Sequence, residues 1–307
     1  MSATTTPARQ MPALLRAGLW MGLSLFCISG MAISGRMLSG HYSTWQILFY
    51  RGLVGLAVIG ALAPRLGFWR LKTRQLPLHF ARAVIHFSGQ YGWFVALTVL
   101  PLAEVFALEF TTPIWTTLLA PLLLGERLTG RKLTAVFIGF AGILVLLRPG
   151  LALVNIMSLV MIGAAITFAI THICTKRITR KDDSLSVVFY MLLFQTPLAL
   201  IGAVQHWQWP TLETLPWIIA VGLTALTAHY AISRALTAAD ASVVVPMDFL
   251  RLPLIAIVGW ALYGEALSPW LVVGAALICL GTWINTRPAR AADPEPAAAT
   301  AVNGPDG

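Results

Sequence analysis

Apolar runs of about membrane-helix length, separated by short polar and basic clusters, recur along the whole chain. A membrane helix needs about 20 mainly apolar residues. The runs predict ten spans: Ala13–Ser34, Thr44–Ala63, Leu76–Leu100, Ala103–Leu124, Leu133–Leu147, Ile156–Cys174, Leu185–Val204, Thr214–Leu236, Ser242–Leu262 and Pro269–Asn285. The expected fold is therefore an all-α polytopic membrane protein. The first run follows Arg16 and ends in small residues near Gly30–Gly35, the outline of a cleaved signal peptide. Its length, and its place at the head of a repeat, favour a retained helix. Residues 287–307 are rich in Ala and Pro with scattered acids, a composition that cannot bury a core and reads as a disordered cytoplasmic tail.

The pattern is duplicated. A shift of 139 lays Tyr91 on Tyr230, Ala96-Leu97-Thr98 on Ala235-Leu236-Thr237, Glu109-Phe110 on Asp248-Phe249, Gly125-Glu126 on Gly264-Glu265, and Gly142 on Gly281. This divides the chain into a cytoplasmic segment 1–12, repeat 1 at 13–148, repeat 2 at 149–286 and the tail. Five spans per repeat is an odd number, so the second repeat enters the membrane from the opposite side. The expectation is two inverted five-helix repeats, a construction common among transporters.

Composition fits a membrane chain, with 58% apolar and 11% charged residues, against roughly 45–50% and 25% in soluble domains. With the N-terminus in the cytoplasm, Arg65, Arg70, Lys72, Arg74, Arg127, Arg131, Lys132, Lys176, Arg177, Arg180 and Lys181 all fall on the inner side, and Arg82 and Arg234 near inner helix ends. Only Arg36 and Arg148 fall outside, a strong positive-inside asymmetry. Both termini are expected in the cytoplasm of a multi-pass protein of the cell (inner) membrane. The net charge of +9 follows from this topology and is not a nucleic-acid footprint. Cys27, Cys174 and Cys279 sit singly in separate spans, with neither metal-ligand nor disulfide spacing. No metal and no cofactor is expected.

Glu109 and Asp248 are the candidate substrate or coupling carboxyls. A charged residue at the centre of a span costs about 2.5–3.5 kcal/mol, so each must face protein, water or a partner. Arg251, three residues after Asp248, and Arg51, at a depth suited to Glu109, are the candidate partners or anion contacts. The plainer alternative is a pair of structural ion pairs that fix helix register. Gln90, Tyr91, His229 and Tyr230, with His86, Ser88, Trp93, Phe94 and Trp115 nearby in sequence or span, are candidates to line a cavity for a flat metabolite. Interhelical hydrogen bonding is the alternative for each. Pro113, Pro246 and Pro253 remove backbone donors near the acids, so the fourth and ninth spans are expected to bend. Glu104 is expected near the outer surface, and Glu126 and Glu265 as interfacial anchors. Gly139, Gly142, Gly274 and Gly281 suit close packing of the fifth and tenth spans within the fold, with a homodimer surface as the alternative.

The chain resembles the EamA branch of the drug/metabolite transporter superfamily. The resemblance is carried by the two halves, Phe49-Tyr50-Arg51 in the second span, Leu102–Glu126 ending in Leu-Leu-Leu-Gly-Glu, Asp240–Glu265 ending in Ala-Leu-Tyr-Gly-Glu, and Leu-Leu-Arg-Pro-Gly at 146–150. It implies a secondary transporter of a small organic metabolite, working by alternating access through a central cavity shared by both repeats. His79-Phe80-Ala81-Arg82 and Arg251 are similar to bacterial S-adenosylmethionine and riboflavin importers; an amino-acid or metabolite exporter is the other transport reading. No phosphate-binding Gly-rich loop appears, and His86 and Ser88, two residues apart on a helix, do not face each other as a catalytic pair would. An enzyme is not expected. A membrane assembly or sensor subunit is the non-transport alternative.

Overall fold

The computed structural model describes residues 13–124, 130–147, 155–238, 258–264, 266 and 268–286. The terminal segments, Glu126, Glu265 and most of the ninth expected span, with Pro246, Asp248, Arg251 and Pro253, lie outside these residues. The described helices are α1 (Ala13–Ser39), α2 (Thr44–Leu66), α3 (Leu76–Val99), α4 (Leu102–Glu109), α5 (Thr112–Leu124), α6 (Gly130–Leu147), α7 (Ile156–Ile178), α8 (Ser184–Ala203), α9 (Leu215–Ala238) and α10 (Pro269–Thr286).

Several helices outrun their apolar stretch, because hydropathy fades where polar end residues find protein partners. α1 continues to Ser39 with Arg36 in its last turn. The Arg36 guanidinium donates to Leu97 O at 2.9 Å and Leu100 O at 2.5 Å, using carbonyls left open at the end of α3. Helix starts are fixed by side-chain caps: Ser43 Oγ accepts from Gln46 N, Asn155 Oδ1 from Met157 N, and Asp183 Oδ1 from Leu185 N.

Packing obeys the duplication. α1 lies along α9 and α3 along α7, two contacts that exchange when the repeats are exchanged, while α2–α8 and α6–α10 map onto themselves. The last pair shows the symmetry at atomic level. A Cβ on Gly142 would meet Gly274 O at 2.7 Å and Ile278 N at 2.9 Å; one on Gly281 would meet Ala135 O at 2.6 Å and Gly139 N at 2.9 Å. Adding 139 to Ala135, Gly139 and Gly142 gives Gly274, Ile278 and Gly281. The glycine faces are thus consumed within one chain.

α1, α2, α7, α8 and α9 are each long and apolar enough to cross a membrane. α3 matches them in length but carries His79, Arg82, His86 and Gln90, all buried. Large apolar side chains such as Phe26, Phe80 and Phe137 point outward instead, as a lipid-facing surface requires. The polarity that lowers the hydropathy of α3 is turned into the bundle, and it positions the site.

The candidate site inside the helix bundle

His79, Arg82, His86 and Gln90 recur every three or four residues and so share one face of α3. Arg82 Nε donates to Thr175 Oγ1 of α7 at 2.6 Å. One turn on, His86 meets α8: Gln195 Nε2 donates to His86 Nδ1 at 2.9 Å and to Ala83 O at 2.9 Å. An amide nitrogen only donates, so His86 Nδ1 accepts, and in the neutral ring the proton sits on Nε2. The other end of the amide, Gln195 Oε1, accepts from Arg51 Nη2 of α2 at 3.1 Å. The His86 ring stands edge-on to His229 of α9, with centroids 5.2 Å apart. Arg51, Gln195, His86 and His229 therefore form one polar chain across α2, α8, α3 and α9.

That chain is incompletely satisfied. Arg51 is only 1% exposed, yet among the described residues its Nε and Nη1 find no hydrogen-bond partner; the same holds for the buried atoms His229 Nε2 and Gln90 Oε1. Buried polar atoms are nearly always paired, because each unpaired one costs about 1–3 kcal/mol. Their depth excludes a surface explanation. Arg51 is seven residues from the start of α2 and His86 ten from the start of α3, roughly 10 and 15 Å along their axes at 1.5 Å per residue.

Glu109 ends α4, where the fourth span breaks at Phe110–Thr111, and Pro113 is the second residue of α5. A proline cannot donate to the carbonyl four residues back, here that of Glu109. Thr112 Oγ1 donates to that carbonyl at 2.6 Å and fills the gap. The Glu109 carboxylate accepts from Trp93 Nε1 at 2.8 Å. Arg51, whose depth suggested a pairing with Glu109, has instead a neutral partner from the other repeat.

The remaining candidates spread out. Tyr91 packs on Trp45 at 4.7 Å, whereas its repeat mate Tyr230 sits edge-on to Trp20 at 5.9 Å and accepts from Arg234 Nη1 at 3.4 Å. Glu104 accepts from Ser158 Oγ at 2.9 Å, tying α4 to α7. Ser88 is exposed while His86 is buried. Trp115 donates to Thr111 Oγ1, and Phe94 fills the space over Gly35. Sequence reasoning missed Gln195, although an amide within the apolar run of α8 was its signal; Arg82, placed near an inner helix end, is the seventh residue of α3 and only 6% exposed.

The bundle is tied at both ends. At one end, Arg70 makes hydrogen bonds of 3.1–3.2 Å with the Asp183 carboxylate, Thr73 Oγ1 donates to Asp182 Oδ2 at 2.5 Å, and His79 Nε2 lies 2.8 Å from the same oxygen. At the other, Tyr50 Oη donates to Gln208 O at 2.7 Å, Gln46 Nε2 donates to Tyr50 Oη at 3.0 Å and to Gln208 O, and Tyr42 Oη lies 2.6 Å from Thr214 Oγ1. Burial pushes the Asp182 carboxyl up, but hydrogen bonds from Thr73, His79 and Gln75 outweigh it and hold the group below the usual carboxylate range. A depressed folded-state value stabilises the protein above the unfolded value, near 3.9, and that stabilisation is lost as pH falls through the folded value. Asp182→Asn is expected to lower stability by about 2 kcal/mol at neutral pH, with the gap between the two melting curves narrowing from about pH 4 downward and closing only as pH passes below the depressed folded-state value. A gap that stays constant from neutral pH down to about pH 2 would contradict this.

The EamA-like transporter family model matches residues 15–148 and again 155–287. A riboflavin transporter of Vibrio cholerae is 31% identical over 89% of this chain and 93% of its own length. An S-adenosylmethionine uptake transporter of Rickettsia prowazekii is 27% identical over 86% of this chain and 90% of its own. A solved crystal structure, 22% identical, superposes with a TM-score of 0.64 over 88% of this chain and 96% of that one, which supports the fold. Two matched repeats of packed apolar helices, with a polar chain buried between them, place this protein in the EamA-like transporter family of the drug/metabolite transporter superfamily, as a multi-pass membrane transporter of small metabolites rather than an enzyme.

Proposed function

We propose that the protein carries its metabolite across the inner membrane by alternating access between two inverted five-span repeats, with the solute held by Arg51, Gln90 and His229. The observation that carries this is the set of unpartnered buried atoms on those three residues. A structural network would be expected to close on itself, whereas a solute site leaves donors and acceptors open until it is filled. Gln195 and His86 orient Arg51 and His229 from behind. Glu109 lies at the break between α4 and α5, where a change of helix angle would be felt, and it serves as a coupling carboxyl, with Asp248 its counterpart in repeat 2. Arg251, Tyr91 and Tyr230 complete the proposed pathway, and Pro113, Pro246 and Pro253 supply its bends. Both termini lie in the cytoplasm in this scheme, with domain limits at 13–148 and 149–286.

Riboflavin and S-adenosylmethionine are the first solutes to try, because similar proteins carry those names over most of this chain. The test is uptake of both labelled compounds into proteoliposomes. Glu109→Gln keeps an oxygen for Trp93 Nε1 and so preserves packing. It is expected to lower flux at least about tenfold at equal reconstitution, the scale of losing one charged contact. Undiminished flux would reduce Glu109 to an acceptor for Trp93, and absence of flux for every metabolite tried would remove the transport scheme.

A further inference from the structure

We infer that the solute is neutral or anionic and meets Arg51 with carbonyl or carboxylate oxygens, and that the same residue turns cations away. This rests on the transport reading of the central site and adds the chemical class of its solute.

Among the described residues two guanidinium groups are buried in this part of the bundle, and neither is paired with a described carboxylate. Arg51 is held by the neutral Gln195 amide and Arg82 by the neutral Thr175 hydroxyl. The described acids of the bundle each have side-chain partners other than these arginines: Glu104 with Ser158, Glu109 with Trp93, Asp182 with His79 and Thr73, and Asp183 with Arg70. His229, half-buried with its Nε2 shut off from solvent, lies within electrostatic reach of both arginines. The charged groups facing this site from α2 and α3 are thus both cations, and α8 contributes an amide. Positive potential in a low-dielectric interior favours complementary charge and excludes like charge.

Hydrogen-bond polarity narrows the class further. The hydrogens on Arg51 Nε and Nη1 have no acceptor, and a guanidinium only donates. Gln195 fixes the tautomer of His86 that carries a hydrogen on Nε2. The Arg51 donors require oxygen or ring-nitrogen acceptors on the solute. Gln90 Oε1, one turn from His86 on α3, has no donor, so it requires an N–H or O–H from the same molecule. A cyclic imide or lactam presents that alternation of carbonyl and N–H on one edge. Phe168, whose ring lies 5.6 Å from His86, offers a flat apolar neighbour for such a ring.

The test is equilibrium binding to the purified full-length protein in lipid nanodiscs with three probes. Riboflavin is a neutral cyclic imide, orotate joins a cyclic imide to a carboxylate, and S-adenosylmethionine carries a sulfonium cation. Riboflavin or orotate is expected to bind at least tenfold more tightly than S-adenosylmethionine. Arg51→Gln, which keeps a donor for Gln195, should erase that preference and weaken the favoured probe at least tenfold. Arg51→Lys, which keeps the charge, should still discriminate against the cation. Preferred binding of S-adenosylmethionine by wild type, or unchanged affinities in Arg51→Gln, would overturn the inference. Binding of none of the three would overturn it too; flux of other metabolites in proteoliposomes would then show whether the transport scheme itself stands.

Discussion

Gly142→Val is expected to destabilise the protein by about 3 kcal/mol or more, or to prevent its accumulation in the membrane. Most overpacking is relieved by moving a flexible side chain, but here the obstruction is main chain. The added Cβ would lie 2.7 Å from Gly274 O and 2.9 Å from Ile278 N, both part of α10. α6 and α10 would have to separate along their shared face. Gly281→Val should behave alike, because it meets Ala135 O and Gly139 N from the other side. Gly60 in α2 is the control: nothing lies within 4 Å of its Cβ position, so Gly60→Ala should be neutral or raise stability by about 0.5–1 kcal/mol. Thermal melting of the purified variants in one detergent checks all three. Equal midpoints for Gly142→Val and wild type would show that the helices are not held at this distance.

Gln195→Leu is expected to cost about 3–5 kcal/mol, the range for leaving a buried charge without its partner. One amide serves three groups on two helices, Arg51 Nη2, Ala83 O and His86 Nδ1. Leucine fills similar space and satisfies none of them. Gln195→Glu separates stability from function. It gives Arg51 a full counter-charge but removes the Nε2 donor, so the fold should survive better than in the leucine variant. Flux should still fall at least about tenfold, because a carboxylate in place would compete with the solute for the same guanidinium. If Gln195→Glu transports like wild type, Arg51 is not a solute contact.

Much of this arrangement was legible in the pattern of residues. The shift that aligned Tyr91 with Tyr230 and Gly142 with Gly281 also predicts the exchange of α1–α9 with α3–α7 packing, since duplicated sequence buries duplicated faces. Arg51, Gln90 and His229 stood out as polar residues in apolar spans, where such groups are costly unless they serve something. Their geometry was less legible. Gln195 falls opposite Leu56 under the shift, so a search for duplicated polar residues passes over it. Arg51 was matched to Glu109 by depth alone, but depth says nothing of azimuth, and the rotation of α2 turns its guanidinium toward α8. Arg82 was counted among the basic residues near a helix end because hydropathy marks that boundary. The hydroxyl of Thr175, 93 residues away in sequence, is what lets it sit inside.

The ties at the two ends of the bundle differ in kind. One is ionic and partly open to solvent, with Arg70 and Asp183 at 19% and 29% side-chain exposure. The other, apart from the Arg36 guanidinium on the Leu97 and Leu100 carbonyls, consists of neutral groups, Gln46, Tyr50 and Tyr42 with their partners. Dissolved ions screen exposed charge pairs over about 8–10 Å at moderate concentrations and leave neutral hydrogen bonds largely unaffected. Ionic strength is therefore expected to act unevenly on this molecule: raising it on the Arg70 face should loosen that tie, while the same salt should leave the Gln46, Tyr50 and Tyr42 bonds at the opposite end largely as they were. In sealed vesicles the orientation of the inserted protein becomes readable from which compartment's salt changes the rate.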